Sequence, residues 1–492
     1  MSALSALRAT VLPISNVLSG IVVVFSFTML APAVLALIDG DAAAFAFRDS
    51  ALAIFVPGAL CWLATRRFRR ELKVRDGILL VTLAWVLTPA LAAVPLLEAI
   101  PGLSFTDAYF ECVSGLTTTG STILSDLDHL PASVNFWRAL LHWIGGMGII
   151  VLAVAILPLL GVGGMQLYRA ETPGPMKDSK LTPRIAHTAK ALWYVYAGIT
   201  VACVLALRIA GMSWFDAVCH AFSAMGLGGF STHDASIGYF HSLGIEGVLI
   251  AFQVIAAMNF ATHFVAVRER SLAPYGRDTQ AKAILRILAV SVLGIALFLT
   301  LKHTYPDFWT ALRYSAFNVV AVATTSGFVT QDFGQWPLFA PLWMLFLSCI
   351  VASSGSTGGG IKMIRALVLA KQSARELIGI LHPNLMRPVK VAQQVIDNSV
   401  ILAVLGFVFL YFMSVVVLTL VMTATGLDLT SSLTAIVASI NNTGPGLGVV
   451  GPASNYSVLN DFQTWVCAIA MLLGRLEVFT LLLIFTPAFW KK

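Results

Sequence analysis

The sequence predicts an all-α polytopic membrane protein. Four pseudo-repeats of helix, re-entrant pore loop and helix surround a central path, and two further transmembrane helices precede them. Three observations predict it. Of 492 residues, 58% are hydrophobic and 11% charged, with a mean hydropathy of +0.85, which excludes a soluble globule. Short glycine-bearing segments, too brief to cross a bilayer, recur between apolar runs that are long enough. Clusters of Lys and Arg alternate along the chain with these segments, as the positive-inside rule requires of a chain that crosses repeatedly.

The leading pair is expected over 16–37 and 51–65, within a unit spanning 1–76, and no cleavable signal peptide is expected there. The first repeat, 77–165, has an outer helix at 77–97, a pore helix at 105–116 and an inner helix at 136–160. The second occupies 166–275, the third 276–390 and the fourth 391–492, with outer and inner helices of the last at 400–425 and 462–487. This reading gives about ten spans and four re-entrant loops, with both termini cytoplasmic. The basic runs at 66–75, 169–190, 268–286 and 362–390, with Lys491 and Lys492, mark the cytoplasmic side. A net charge of +7 distributed in this way speaks for membrane orientation and against nucleic-acid binding.

The four glycine segments are Leu116-Thr117-Thr118-Thr119-Gly120-Ser121, Leu227-Gly228-Gly229-Phe230-Ser231, Thr324-Thr325-Ser326-Gly327-Phe328 and Asn441-Asn442-Thr443-Gly444-Pro445. Ser104, Ser213 and Asp428, all helix-capping types, each lie sixteen positions before Gly120, Gly229 and Gly444. Asp307 lies twenty before Gly327, so the third pore helix is expected to be a turn longer. Backbone carbonyls can replace the water shell of a cation, and aiming them at one axis needs a backbone that visits positive φ. The candidate ion-binding residues are therefore Thr118, Thr119, Gly120, Leu227, Gly228, Gly229, Thr325, Ser326, Gly327, Asn442, Thr443 and Gly444. The plainer alternative is four ordinary glycine turns. Glu98, Asp107, Asp126 and Asp128 make the first loop acidic, which favours cations.

The third inner segment, 338–375, is too long for one span and is interrupted by Ser353-Ser354-Gly355-Ser356-Thr357-Gly358-Gly359-Gly360-Ile361-Lys362. So many glycines cannot hold a helix, at about 1 kcal/mol each against alanine. The break is expected just below the filter, where a flexible segment would act as a gate. A phosphate-binding loop is the competing reading, but Ile361 separates Gly360 from Lys362 and Met363 replaces the magnesium-binding hydroxyl. Arg475 and Glu477 fall inside the last inner helix. Either both lie near the cytoplasmic end, paired with each other or snorkelling, or Arg475 donates to carbonyls of the loop 355–360 and holds the pore shut. His142, His220 and His263 read as packed neutral side chains, Glu111 as a buried support of the filter, and the six cysteines as small buried hydrophobes.

With these motifs in view, nearly the whole chain resembles the TrkH subunits of bacterial Trk potassium uptake systems, within the wider TrkH, KtrB and plant HKT superfamily. The resemblance rests on Gly115-Leu116-Thr117-Thr118-Thr119-Gly120, Gly228-Gly229-Phe230-Ser231-Thr232-His233-Asp234-Ala235-Ser236, the loop 355–362 and Asn441-Asn442-Thr443-Gly444-Pro445-Gly446. It implies a potassium pore in the bacterial inner membrane, a homodimer set in lipid, and a cytosolic TrkA-type partner with RCK domains. NAD, ATP and ADP are then expected on the partner, and this chain holds no organic cofactor and is no enzyme. The resemblance also makes Arg475 the contact to the gate. Leu227, and Val351-Ala352-Ser353-Ser354 ahead of the gate loop, depart from the family pattern. Gly120 favours potassium, since serine at that position in the plant branch accompanies sodium preference. The alternative is a proton- or sodium-coupled potassium symporter, which would need carboxylates buried across the midplane, and few are visible.

Overall fold

A computed structural model describes residues 3–68, 70, 72–155, 181–384, 388–391 and 394–490. The boundary expected between the first two repeats, most of the basic run 169–190 and the terminal lysines lie outside these residues. The described residues are mostly helical, and the one sheet among them is the antiparallel pair Lys390–Val391 and Gln394–Val395.

Helices Ala3–Thr28, Leu30–Asp39 and Ala43–Thr65 form the leading pair. Ala43–Thr65 starts eight residues before the expected 51, because the segment ahead of it, though it holds Arg48 and Asp49, continues the helix with those two charges paired at 2.8 Å. Four outer helices follow at Val74–Ala99, Leu181–Ile209, Thr279–Leu301 and Asn398–Ala424. Each carries an apolar stretch long enough to cross a membrane, so one face packs inward and the other faces lipid. On Thr279–Leu301, for example, Ile284, Leu288 and Ile295 are buried, whereas Val290, Leu293 and Leu297 are exposed.

The pore helices are Phe105–Leu116, Trp214–Gly226, Phe308–Ala323 and Leu429–Asn441. Ser104, Ser213, Asp307 and Asp428 cap them, accepting from the backbone N–H of Asp107, Asp216, Thr310 and Ser431 respectively. The third has 16 residues against 12 or 13 in the others, the extra turn that the longer interval predicts.

The inner helices depart furthest from expectation. The first is Ala132–Ala155, and its expected continuation to 160 lies outside the described residues. The second breaks into Leu243–Ala257 and Phe260–Glu269 with a bend of 100°, and the fourth, expected as one helix over 462–487, breaks into Asp461–Arg475 and Val478–Ile484 with a bend of 113°. The third breaks, as expected, between Phe339–Ile350 and Met363–Leu381. Six described helices are long and apolar enough to cross a membrane, or eight if each bent pair is one span. The other two of the expected ten fall on Ala132–Ala155, which runs into undescribed residues, and on the third inner segment, where a helix of 12 residues precedes the break.

Candidate functional site

The four pore helices end alike. Thr118, Leu227, Thr325 and Asn442 are left-handed, at φ 53°, 56°, 66° and 54°, and two residues later Gly120, Gly229, Gly327 and Gly444 stand at φ 84°, 81°, 70° and 97°. Between them, the amides of Thr119, Gly228, Ser326 and Thr443 donate to carbonyls of Ser114, Ser223, Ala321 and Ala438 at 2.8 to 2.9 Å. A left-handed residue is a common helix stop. The second positive φ, in a crowded interior, is where glycine is needed.

The loops meet in cyclic order. A Cβ added to Gly120 would overlap the Gly228 carbonyl oxygen, one on Gly229 that of Ser326, and one on Gly327 that of Thr443. The ring closes at Gly444, whose Cβ would stand 3.0 Å from the Thr119 oxygen. Thus the residue before each glycine of one loop packs against the glycine of its neighbour, and the twelve candidate positions form one contiguous constellation. Asn442 Nδ2 to Thr119 Oγ1 at 2.9 Å and Ser121 Oγ to the Gly444 carbonyl at 3.0 Å join the first and last loops.

Behind each glycine, the pore helix holds the extended strand that follows. Glu111, His220 and Asn318 each lie nine residues before their glycine. Glu111 accepts from Ile123 N at 3.0 Å, His220 Nε2 shares a hydrogen bond with Ser231 Oγ at 2.9 Å, and Asn318 Nδ2 donates to Thr330 Oγ1 at 2.9 Å. In the fourth loop Ala435 takes this place, and Thr434 Oγ1 accepts from Leu447 N at 2.9 Å instead. The Glu111 carboxylate is also paired with Arg138 Nε at 2.8 Å, both side chains 1% exposed. Arg138 continues to the Ser231 carbonyl at 3.1 Å and lies 4.3 Å from the centre of the Phe230 ring, tying the first loop to the second. Sequence reasoning missed Arg138 and Asn318, although the nine-residue interval would have found Asn318.

At the mouth, Asp126 and Asp128 are not bare. Asp126 accepts from His129 at 2.5 Å, which raises the His129 pKa from its ordinary value. Partial burial pushes the Asp128 carboxyl up, but hydrogen bonds from His233 and from the Asp234 amide outweigh it and hold the carboxyl below its usual range. Asp234 in turn accepts from Leu127 N at 3.2 Å, so these contacts join the first two loops across the mouth.

On the opposite side, the stretch 351–362 lies against the ends of the pore helices. Gly359 N donates to Thr325 Oγ1 at 3.0 Å, and a Cβ on Gly359 would overlap the Asn441 carbonyl. Gly358 faces Thr325 Oγ1 and Leu227 Cδ1, which a Cβ there would meet at 3.2 and 3.3 Å. Thr357 Oγ1 donates to the Met225 carbonyl at 2.9 Å, and its methyl group lies where a Cβ on Gly146 would be 3.3 Å away. Gly355 and Ser353 satisfy the broken second inner helix, through Phe260 N to Gly355 O at 3.1 Å and Ser353 N to Ala257 O at 2.9 Å. Ser356 Oγ closes on the Ser353 carbonyl at 2.7 Å, Gly360 takes φ 74°, and Lys362 Nζ donates back to the Gly358 carbonyl. All four units therefore touch this segment.

Arg475, 2% exposed, donates from Nη1 to the Thr357 carbonyl at 2.8 Å and from Nη2 to the Gly145 carbonyl at 3.0 Å. Its pairing with Glu477 is corrected by the structure. The helix ends at Arg475, the chain turns, and Glu477 pairs with Arg365 at 2.8 Å. The three histidines do not come together: His142 stacks on Phe230, His220 holds Ser231, and His263 bonds Tyr275 and the Ile255 carbonyl.

A family model described as "TrkH: Cation transport protein" matches residues 43–492. The chain is 48% identical over 471 residues to the Trk system potassium uptake protein TrkH of Vibrio parahaemolyticus, covering 95% of this chain and 97% of that protein. It is 45% identical over 480 residues to its namesake in Escherichia coli K12, covering 97% and 99%. It also resembles the crystal structure of the potassium transporter TrkH from Vibrio parahaemolyticus, with a TM-score of 0.91, 44% identity and coverage of 98% and 99%.

Proposed function

The chain belongs to the TrkH family of cation transport proteins, and from that premise we propose that potassium crosses through the ring of four glycine loops, with the glycine-rich loop 355–362 as the gate. It is a multi-pass membrane transporter of the Trk potassium uptake system and not an enzyme. The observation that carries the finer reading is the cyclic contact of Gly120, Gly229, Gly327 and Gly444, each against the carbonyl of the neighbouring loop. Such a ring offers main-chain oxygens where an ion sheds water, at the negative ends of four pore helices. Thr118, Thr119, Leu227, Gly228, Thr325, Ser326, Asn442 and Thr443 supply the carbonyls on the near side of each glycine. With single glycines and unequal loops, discrimination should be weaker than in a pore of four identical chains.

The gate reading is supported by Gly358 and Gly359 standing directly against Thr325, Leu227 and Asn441. An ion leaving the ring toward the cytoplasm meets them first. We assign Gly355, Ser356, Thr357, Gly358, Gly359, Gly360 and Lys362 to this gate and Arg475 to its tether. A TrkA-type cytosolic partner would bind NAD, ATP or ADP and move the gate, while two copies of this chain would form the membrane unit in the bacterial inner membrane. The test is potassium flux into liposomes holding the purified chain alone under an imposed gradient. Selective flux that falls when the glycine ring is altered supports the reading. A flux indifferent to every one of the four glycines would end it.

A further inference from the structure

Two non-glycine residues adopt a backbone conformation nearly confined to glycine: Lys362 at φ 78°, ψ 142° and Glu477 at φ 58°, ψ 132°. Both stand where an inner helix resumes after a break, the third after the glycine-rich loop and the fourth after its bend of 113°. One ion pair joins these hinges. Arg365, three residues into the helix Met363–Leu381, donates from Nη2 to Glu477 Oε2 at 2.8 Å, and its guanidinium lies 4.0 Å from the centre of the Phe407 ring. The two side chains are 8% and 25% exposed.

The surroundings explain why this pair forms and no other. Arg475 directs Nη1 and Nη2 to the carbonyls of Thr357 and Gly145 while its buried Nε has no hydrogen-bond partner among the described residues, and Lys362 folds back onto the Gly358 carbonyl. Arg365 is the cation left to face Glu477. Glu477 is two residues beyond Arg475, on the far side of the bend, so whatever holds Glu477 also sets where Arg475 reaches. Arg365 in turn is three residues beyond Lys362, the last residue of the loop. A displacement of the helix Met363–Leu381 would pull the loop directly through Lys362 and the Arg475 tether indirectly through Glu477.

We propose that Arg365 and Glu477 form a latch that positions Arg475 on the loop, so that the loop and its tether let go together when the helix Met363–Leu381 moves. Neither residue touches the ion, and both act through Arg475. The proposal rests on the gate reading above. A pair that only packed two helix ends would tolerate neutral isosteres without any change in flux. A latch would not, because an interaction present in the closed arrangement and lost on opening sets the fraction open.

The experiment is basal potassium flux from the purified full chain in liposomes without any partner, for Glu477→Gln, Arg365→Gln, the charge-swapped double variant R365E/E477R, Arg475→Ala, and Glu477→Gln combined with Arg475→Ala. Each single change at the pair should raise basal flux by about tenfold, the size of one charge-assisted hydrogen bond. The swap should return flux to within about twofold of the parent. Adding Arg475→Ala to Glu477→Gln should raise flux little beyond Arg475→Ala alone, since the two act in series. Parental flux in both single variants, with raised flux in Arg475→Ala, overturns the latch and leaves the gate standing. Parental flux in all of them overturns the gate itself. Should a single variant fail to elute as a monodisperse species, the swap decides: high flux from a well-folded swap overturns the latch, and restored flux supports it.

Discussion

Arg475→Ala should open the pore in the absence of any partner. Arg475 makes two hydrogen bonds, at 2.8 Å to the Thr357 carbonyl and 3.0 Å to the Gly145 carbonyl, and both acceptors are neutral. Only the first depends on where the loop lies, because Gly145 belongs to the first inner helix. A hydrogen bond from a charged donor is worth about 1.5 to 3 kcal/mol net. Each 1.4 kcal/mol is tenfold in an equilibrium, so loss of the Thr357 bond should multiply a small open fraction by roughly 10 to 100. Other ties, among them Thr357 Oγ1 to Met225, Gly359 N to Thr325 and Phe260 N to Gly355, stay in place, and so the gain should fall short of a fully open pore. Arg475→Lys keeps the charge but cannot span both carbonyls with a planar fork, and its flux should lie between the two. The assay is rubidium or potassium uptake into liposomes, normalised to correctly folded protein. Flux at or below the parental level in folded Arg475→Ala would show that this arginine does not restrain the path.

Gly120→Ser should raise sodium permeation relative to potassium, since its Cβ would overlap the Gly228 carbonyl and displace it from the ring, and an unchanged reversal potential would count against the ion-site assignment. Gly444→Ser should disturb the ring less, because its nearest contact is 3.0 Å away, so the order of the two effects is itself a check. Arg138→Met leaves the Glu111 carboxylate buried and unpaired, which should cost about 3 to 5 kcal/mol, whereas pairing it with Glu111→Gln should recover much of the loss in a thermal unfolding series. Ser213→Ala removes the cap that accepts from Asp216 N and should cost about 1 kcal/mol in the same assay. Hydrogen bonds from Thr310 and Ser431 hold the carboxyls of Asp307 and Asp428 below their usual range. Their folded pKa values are depressed, so this contribution is complete above the unfolded carboxylate range and is lost as pH falls below it. Unfolding temperature should therefore respond to these two groups only in acid, below about pH 4.

The legible parts of this chain share one property: their causes lie within a few residues of their effects. A capping side chain and the helix it starts are three residues apart, so Ser104, Ser213, Asp307 and Asp428 marked all four pore helices, and the interval from each cap to its glycine measured the helix between them. The third inner helix was readable as broken because its own glycines break it. The second and fourth were not, because there the interruption is stabilised from elsewhere. Ser353 and Gly355 supply the partners for Ala257 and Phe260, and no local composition near Asn259 announces that. Likewise Glu477 pairs with Arg365 and Glu111 with Arg138, choices made across 112 and 27 positions.

The same distinction bears on why four unequal loops can serve one ring. The backbone of each loop is set locally, by a left-handed residue, one amide returning to the pore helix and a glycine, and this triplet is the same in all four. What supports the triplet differs: Glu111 with Arg138 in the first, His220 in the second, Asn318 in the third and Thr434 in the fourth. Each support holds the strand after the glycine by a hydrogen bond, and a carboxylate, an imidazole, an amide or a hydroxyl can all do so. Substituting one support for another at equivalent positions should therefore harm stability more than selectivity, because the carbonyls are placed by the glycine triplet and only braced by the side chain. Asn318→His tests this: a lowered melting temperature with an unaltered sodium to potassium ratio is the expected result, and a shifted ratio would mean that the brace, and not the triplet, places the oxygens.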